Sequence, residues 1–318
     1  MDFVFGNNTV GFRKAEGGGL ITITACHISD ERIAQLGTEV RTWLKANPAL
    51  EAFDHRRQSG TLRYATVRTS ARSTSIIFML SEDSTKLTEH TDAIARFAET
   101  TNADNVIVAY TPAAVDESLS TEYYVVKGSE YIIDDFCGTE IEYHALAFFQ
   151  NNPRVAEQMV AHVRQALSTR GMASRPIVDA YGGVGTFGVV LAPHCPEVIS
   201  IESHPLSSEC ASRNAQRLGL TTMRAITDDS ANLKKHDLPK NALYLVDPPR
   251  SGMSEKAMRA LLMTNTDAIV YVSCNPAALA KELVLFTRNY TVASAALFDM
   301  FPQTNHIEAV VVLERKRV

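Results

Sequence analysis

Apolar residues recur along this chain in two rhythms, and the change from one to the other divides it. Up to about residue 140 they gather in short runs, Leu20–Thr24, Leu62–Arg68, Ser75–Leu80, Val106–Ala109 and Tyr123–Val126, which read as strands bounded by turn-rich segments. Between these runs, residues 31–46 and 86–101 repeat apolar positions at the helical spacing. That mixture predicts a compact α+β domain over residues 1–140. From about residue 151, Pro153–Ser168 lines up Val155, Met159, Val160, Val163 and Leu167 on one helical face. Strands follow at 176–180, 197–201, 242–246 and 268–272, with a strand-like run at Met223–Ile226 and a last pair near 292–298 and 308–313. Strands alternating with helices predict a parallel, doubly wound sheet. Residues 141–318 therefore read as a Rossmann-like, doubly wound α/β domain preceded by the smaller α+β domain.

With 318 residues the chain is long enough to bury a core in each part. It holds no run of about 18 apolar residues, and its N-terminus lacks a basic-then-apolar signal, so a soluble, cytoplasmic protein away from membranes is expected. The five cysteines, Cys26, Cys137, Cys195, Cys210 and Cys274, are scattered without a C-x-x-C pair. Disulfides, zinc and an iron–sulfur cluster are therefore not expected. A net charge of −5 argues against broad polyanion binding. Residues 55–72, however, carry Arg56, Arg57, Arg63, Arg68 and Arg72 and no acid. Phosphate contact and a solvated strand face are equally good accounts of that stretch. Nothing in the pattern calls for an obligate protein partner.

The chemistry concentrates in the second part. Pro176-Ile-Val-Asp179-Ala-Tyr181-Gly-Gly183-Val-Gly185-Thr186 reads as a strand, a glycine turn and a helix start, and Val198–Glu202 as a second strand ending in an acid. A doubly wound fold grips ribose hydroxyls with such an acid. Gly183, Gly185 and Gly188 satisfy the dinucleotide fingerprint, which leaves a nicotinamide cofactor open. Asp179, four residues before Gly183, makes a D-x-x-x-G-x-G loop that looks like the S-adenosylmethionine site of class I methyltransferases. Asp228 and Asp229 follow the next strand, where adenine contact and a helix N-cap compete. Cys274 falls just past the strand 268–272, at the end where open α/β sheets carry out chemistry.

Together these residues resemble the RNA uracil-5-methyltransferase family. The resemblance runs from about Phe148 to Lys316 through F-F-Q-N-N (148–152), D-A-Y-G-G-V-G-T-F (179–187), V-D-P-P-R-S-G (246–252), Y-V-S-C-N-P (271–276) and F-D-M-F-P-Q-T-N-H-I-E (298–308). It implies methyl transfer from S-adenosylmethionine to C5 of a uridine in RNA through a covalent adduct between Cys274 and C6, with Glu308 as the base. The need for such groups is chemical. C5 of uracil is a poor nucleophile until a thiolate adds at C6, and its proton must leave before the thiolate can. Arg250 is expected to lower the Cys274 pKa and to sit near the substrate. The resemblance further implies cofactor contacts from Gln150, Tyr181, Gly183, Gly185, Thr186, Glu202, Asp229 and Asp247, and stacking of the target base by Phe148. Gln150 and Asp247 have the uracil edge as an alternative, Phe148 the core, and Pro248-Pro249 a plain rigid turn.

Three departures from the family pattern stand out: Gly182 where relatives often have Cys, no RNA-binding barrel extension, and no cysteine cluster. The last two leave RNA selection to residues 1–140. They favour a transfer-RNA T-loop over ribosomal RNA, because smaller members of the family tend to act there. An amino-directed DNA methyltransferase would carry an aromatic residue where Arg250 stands. A non-catalytic RNA-binding protein would have no use for Cys274 and Glu308.

Overall fold

Aromatic residues spaced along separate strands and helices assemble the first core. In the computed structural model, which describes residues 1–6, 8–14, 19–23, 26–115 and 120–317, Trp43 packs edge-on against Phe78 at 5.3 Å and tilted against Phe97 at 5.4 Å. The chain divides into two units, Met1–Asp134 with His144–Leu146, and Asp135–Tyr143 with Ala147–Val318. The first contains β1 (Asp2–Gly6), β2 (Thr9–Arg13), β3 (Leu20–Ile21), α1 (Glu31–Ala46), β4 (Leu62–Thr69), β5 (Thr74–Ser81), α2 (Leu87–Thr100), β6 (Asn105–Thr111) and β7 (Tyr123–Lys127). They form one seven-stranded sheet in the order β3-β2-β1-β4-β5-β6-β7. Only β5 and β6 run parallel, joined by the α2 crossover. The strand expected over Leu20–Thr24 is short, and Thr24 lies outside the described residues. The pair β1 and β2 is not foreshadowed by the apolar pattern.

The basic stretch is split by burial. Arg63 is 1% exposed, its guanidinium over the Phe53 ring at 4.2 Å and donating to the carbonyls of Pro112, Ala113 and Val115. It belongs to the core of this unit and not to a phosphate-binding face. β4 is buried on both faces from Leu62 to Val67, so the face that carries Arg63 is covered as well. Arg68 is half-buried, whereas Arg56, Arg57 and Arg72 are exposed.

A hairpin follows, β8 (Tyr131–Phe136) and β9 (Thr139–His144). Its two-residue turn, Cys137-Gly138, takes φ of 52° and 72°, the left-handed pair that suits strand twist. The second unit continues with α3 (Pro153–Thr169), β10 (Ile177–Ala180), α4 (Thr186–Leu191), β11 (Val198–Glu202), α5 (Pro205–Arg217), β12 (Met223–Thr227), β13 (Leu243–Val246), α6 (Glu255–Leu262), β14 (Ala268–Ser273), α7 (Pro276–Phe286), β15 (Tyr290–Phe298) and β16 (Glu308–Arg315). Its sheet runs β12-β11-β10-β13-β14-β16-β15, parallel through β14 and antiparallel at β16 and β15. This is the doubly wound α/β fold predicted from the rhythm of apolar runs. Strand order reverses between β10 and β13, so loops after β10, β11, β13 and β14 surround the crevice where such sheets bind ligands.

Candidate active site

The glycine loop is shaped by three backbone demands. Tyr181, with φ 72°, and Gly182 both donate their N–H groups to Ile201 O, at 2.9 and 3.1 Å, which turns the chain off β10. A Cβ on Gly183, itself at φ 55°, would meet nothing within 4 Å, so the loop is open there. At Gly182 a Cβ would stand 2.0 Å from Ser200 Oγ, so the small residue here matches its neighbour strand. The buried Thr186 begins α4.

Carboxylates converge on this loop. Glu202 ends β11 and accepts the Gly183 N–H at 3.0 Å and the His204 N–H at 2.7 Å. Asp179 Oδ2 accepts the Gly188 N–H at 3.1 Å, while Oδ1 is buried without a partner. Burial pushes the Asp179 carboxyl up to about 7, the Gly188 N–H opposing and Glu202 reinforcing the shift. Asp229 is exposed and caps the helical turn Ser230–Lys235 by accepting from Ala231 N at 2.7 Å. Asp228 pairs with His236 Nε2 at 2.8 Å and Asn232 Nδ2 at 2.7 Å, which hold its carboxyl down at about 2. Ser230, which no sequence motif singles out, hydrogen-bonds Tyr181, whose hydroxyl burial pushes up to about 12.

The second half of the site is set by strand register. In the antiparallel pair β14/β16 the last facing residues are Ser273 and Ala309, so Cys274 and Glu308 are the next residues along the chain at that end of the ladder. Asp247 follows β13 directly, and Arg250 is exposed on the same loop. The Cys274 thiol is half-buried and pushed up from its usual value, by burial first and then by Glu308 and Asp247, with Arg250 opposing. Arg250 lowers the thiol as expected, but the net shift in the free protein is upward. One guanidinium at the surface is outweighed by desolvation and two carboxylates. Burial raises Glu308 as well, with Arg250 again opposing, and takes Asp247 up to about 8 with help from Glu308 and Asp179.

Phe148 and Phe149 part ways. Phe149 is buried and stacks on Tyr143 at 4.4 Å, whereas Phe148 is 53% exposed. The core reading of Phe148 therefore falls. Gln150 is half-buried beside it. Asn152 caps α3 through Val155 N at 3.3 Å and donates from Nδ2 to Met300 O at 3.3 Å, tying this segment to the loop that leads into Glu308.

An orphaned carboxylate oxygen, two carboxyls raised by burial and by neighbouring acids, and an open glycine cradle fit a ligand that brings positive charge and a nucleoside. S-adenosylmethionine has both, in its sulfonium and ammonium groups and its adenosine. Among the described residues, no group of three or more His, Cys, Asp or Glu is placed to hold a metal, and no helix is long and apolar enough to cross a membrane.

The model of the tRNA (uracil-5-)-methyltransferase family matches residues 20–316. The chain belongs to that family. It is 29% identical over 327 residues to an RNA methyltransferase of Caldanaerobacter subterraneus subsp. tengcongensis, covering 99% of this chain and 72% of that one. It is 30% identical over 318 residues to one of Prochlorococcus marinus, covering 98% and 74%. Among solved structures it resembles the Pyrococcus abyssi tRNA (uracil-54, C5)-methyltransferase in complex with S-adenosyl-L-homocysteine, with a TM-score of 0.75 at 22% identity over 98% of this chain and 74% of that one. The protein is an S-adenosylmethionine-dependent RNA methyltransferase of this family, and the last likeness shows its fold.

Proposed function

We propose that this family member methylates C5 of a uridine in transfer RNA, with Cys274 as nucleophile and Glu308 as base. The observation that supports the reading is that Cys274 and Glu308 follow the last β14/β16 pair, Ser273 with Ala309, and that Glu308, Asp247 and Arg250 all act on the Cys274 thiol. The Cys274 sulfur adds to C6 of the uracil, and the electron pair of the C5–C6 bond moves to make C5 nucleophilic. Bound S-adenosylmethionine supplies an electrophilic methyl group for C5. Glu308 then takes the C5 proton, the double bond re-forms, and the thiolate leaves. A raised pKa suits Glu308 to that task, because a stronger base accepts the proton more readily. Positive charge brought beside Asp247 offsets the carboxylate field that disfavours the Cys274 thiolate.

On the cofactor side, Gly183 and Gly185 shape the cradle, with Tyr181 and Thr186 beside it. Glu202 receives ribose hydroxyls, Asp179 and Asp247 face the cationic end, and Gln150 and the second Asp229 oxygen complete the set. The exposed Phe148 stacks on the flipped uracil, and Arg250 contacts the RNA near it. Residues 1–140 are the RNA-recognition part, with Arg56, Arg57 and Arg72 offered to phosphates. Transfer RNA as the substrate is supported by the family's description and by the activity in the name of the Pyrococcus abyssi enzyme.

The test is methylation of unmodified transfer RNA and of ribosomal RNA fragments by the parent protein, followed by Glu308→Gln with each RNA on a denaturing gel. We expect 5-methyluridine in the T-loop and, in Glu308→Gln, a protein–RNA adduct that survives denaturation. Methylation of ribosomal fragments alone reverses the substrate assignment. Near-parental turnover without adduct in Glu308→Gln removes Glu308 from the mechanism.

A further inference from the structure

Within the loop that carries Asp247 and Arg250 the Gly252 N–H donates to Pro249 O at 2.8 Å, while Pro248 and Pro249 donate no backbone hydrogen bonds. Its anchors to the rest of the fold come from the helix that follows Cys274. Asn275 sits at the N-cap of α7, where Oδ1 accepts the Ala278 N–H at 3.2 Å and Nδ2 donates to Arg250 O at 3.0 Å. Glu282, further along α7, is 7% exposed. One of its carboxylate oxygens accepts the Met253 N–H at 2.9 Å and the other accepts the Tyr271 hydroxyl. Gly252, between these anchors, takes φ 79°, and a Cβ there would stand 2.0 Å from Glu282 Oε1. The loop's backbone is thus pressed against the carboxylate at a position only glycine satisfies.

A buried carboxylate normally costs stability unless it is fully hydrogen-bonded, and an apolar residue would fill this space without that cost. Glu282 instead spends both of its oxygens on aligning neighbours. Tyr271 and Cys274 stand on the same strand and its end, so the carboxylate ties the nucleophile's strand, the helix after it and the Arg250 loop into one body.

We propose that Asn275 and Glu282 are positioning residues, a two-point clamp from α7 that fixes the loop between Arg250 and Met253 and so sets where the Arg250 guanidinium stands relative to Cys274 and Glu308. Neither touches the reacting atoms; both act through the loop. The proposal rests on the reading of Cys274 as the nucleophile, and it deepens that reading by naming what sets the thiol's environment. Arg250 favours the Cys274 thiolate, whereas Asp247 disfavours it and directly follows β13, so loosening the stretch between the anchors removes the help of Arg250 while the Asp247 charge and the burial of the thiol remain.

The experiment is the pH dependence of Cys274 alkylation by iodoacetamide in the full chain without RNA, read by mass spectrometry of the Cys274 peptide. The other cysteines then do not enter the signal. Asn275→Ser keeps an N-cap hydroxyl for α7 but lacks the amide donor for Arg250 O. Glu282→Ala removes the second anchor, and Glu282→Gln keeps an acceptor for Met253 N–H and an amide that can donate to Tyr271 Oη. We expect alkylation at pH 8 to fall at least five-fold in Asn275→Ser and Glu282→Ala, with the profile moved to higher pH and S-adenosylhomocysteine affinity within a few-fold. Glu282→Gln should recover to within two- to three-fold of the parent. Should Glu282→Ala fail to fold, Asn275→Ser and Glu282→Gln decide the matter. Unchanged profiles in folded Asn275→Ser overturn the proposal, and so does a Glu282→Gln as slow as a folded Glu282→Ala, because the charge would then matter and not the clamp. Alkylation needs no turnover. If Cys274→Ala still methylates RNA, the catalytic reading fails while the clamp stands or falls on its own data.

Discussion

At the scale of single residues, the site is a set of acids held together without enough positive charge. Asp179 and Asp247 are pushed up to about 7 and about 8, above the ordinary carboxylate value of 3.8. Between the unfolded value and these, the folded chain holds more protons than the unfolded one. These two groups therefore stabilise the unliganded protein at low pH, and that contribution is lost as pH rises from about 4 through about 8. Binding of a cationic cofactor reverses their preference and expels the protons. We expect S-adenosylmethionine affinity to climb between pH 6 and 8.5. Calorimetry at pH 6.5 in buffers of different ionisation enthalpy should register proton release, diminished in Asp179→Asn; a proton count of zero would end this account. Cys274→Ala should abolish methyl transfer and leave S-adenosylhomocysteine affinity within a few-fold, since the thiol acts on the base. Measurable turnover in that variant would remove the thiol from the chemistry.

At the scale of elements, one sequence feature separates into two roles. The arginines of residues 55–72 look alike on paper, yet β4 turns Arg63 inward while the turn after Asp54 leaves Arg56 and Arg57 in solvent, their backbone N–H groups held by Asp54 Oδ1 at 2.8 and 3.2 Å. Arg63→Ala should cost about 2–5 kcal/mol of stability, the range for deleting a large buried side chain, seen as a lower Tm without a change in the salt dependence of RNA binding. Arg56→Glu with Arg57→Glu should do the reverse. Tm should hold, while the log–log slope of RNA affinity against salt becomes shallower by about 0.7–0.9 for each phosphate no longer neutralised. A slope equal to the parent's would mark the segment as a solvated face.

For the whole molecule, the fold settles a choice that the glycine spacing leaves open. Gly183, Gly185 and Gly188 satisfy a dinucleotide fingerprint, yet the orphaned Asp179 oxygen and the raised carboxyls around the loop favour a cation over a pyrophosphate. In a thermal-shift comparison, S-adenosylhomocysteine at one hundred times its Kd should stabilise the protein by about 2.7 kcal/mol, whereas NAD at the same concentration should leave Tm where it was. A shift with NAD alone would return the protein to the oxidoreductases.

Local pattern was enough for the doubly wound unit. The central parallel strands are buried on both faces and announce themselves as apolar runs, as in Leu243–Val246 or Ala268–Ser273, and Pro at the first position of α3 and α7 marks where helices begin. The glycine loop stands out by residue type and spacing, whereas Cys274 and Glu308 are singled out by the motifs that resemble the family's. The strands β1 and β2 were not, being short with mixed burial and defined only by pairing with each other and with β4. Nor could sequence foretell that Arg63 lies in a core, that Asp229 spends one oxygen on a cap, that the Cys274 thiol is raised, or that Asn275 and Glu282 grip the Arg250 loop. Each depends on what stands opposite across the fold. Burial, register and opposing charge are properties of neighbours distant in sequence, and only the tertiary structure decides who those neighbours are.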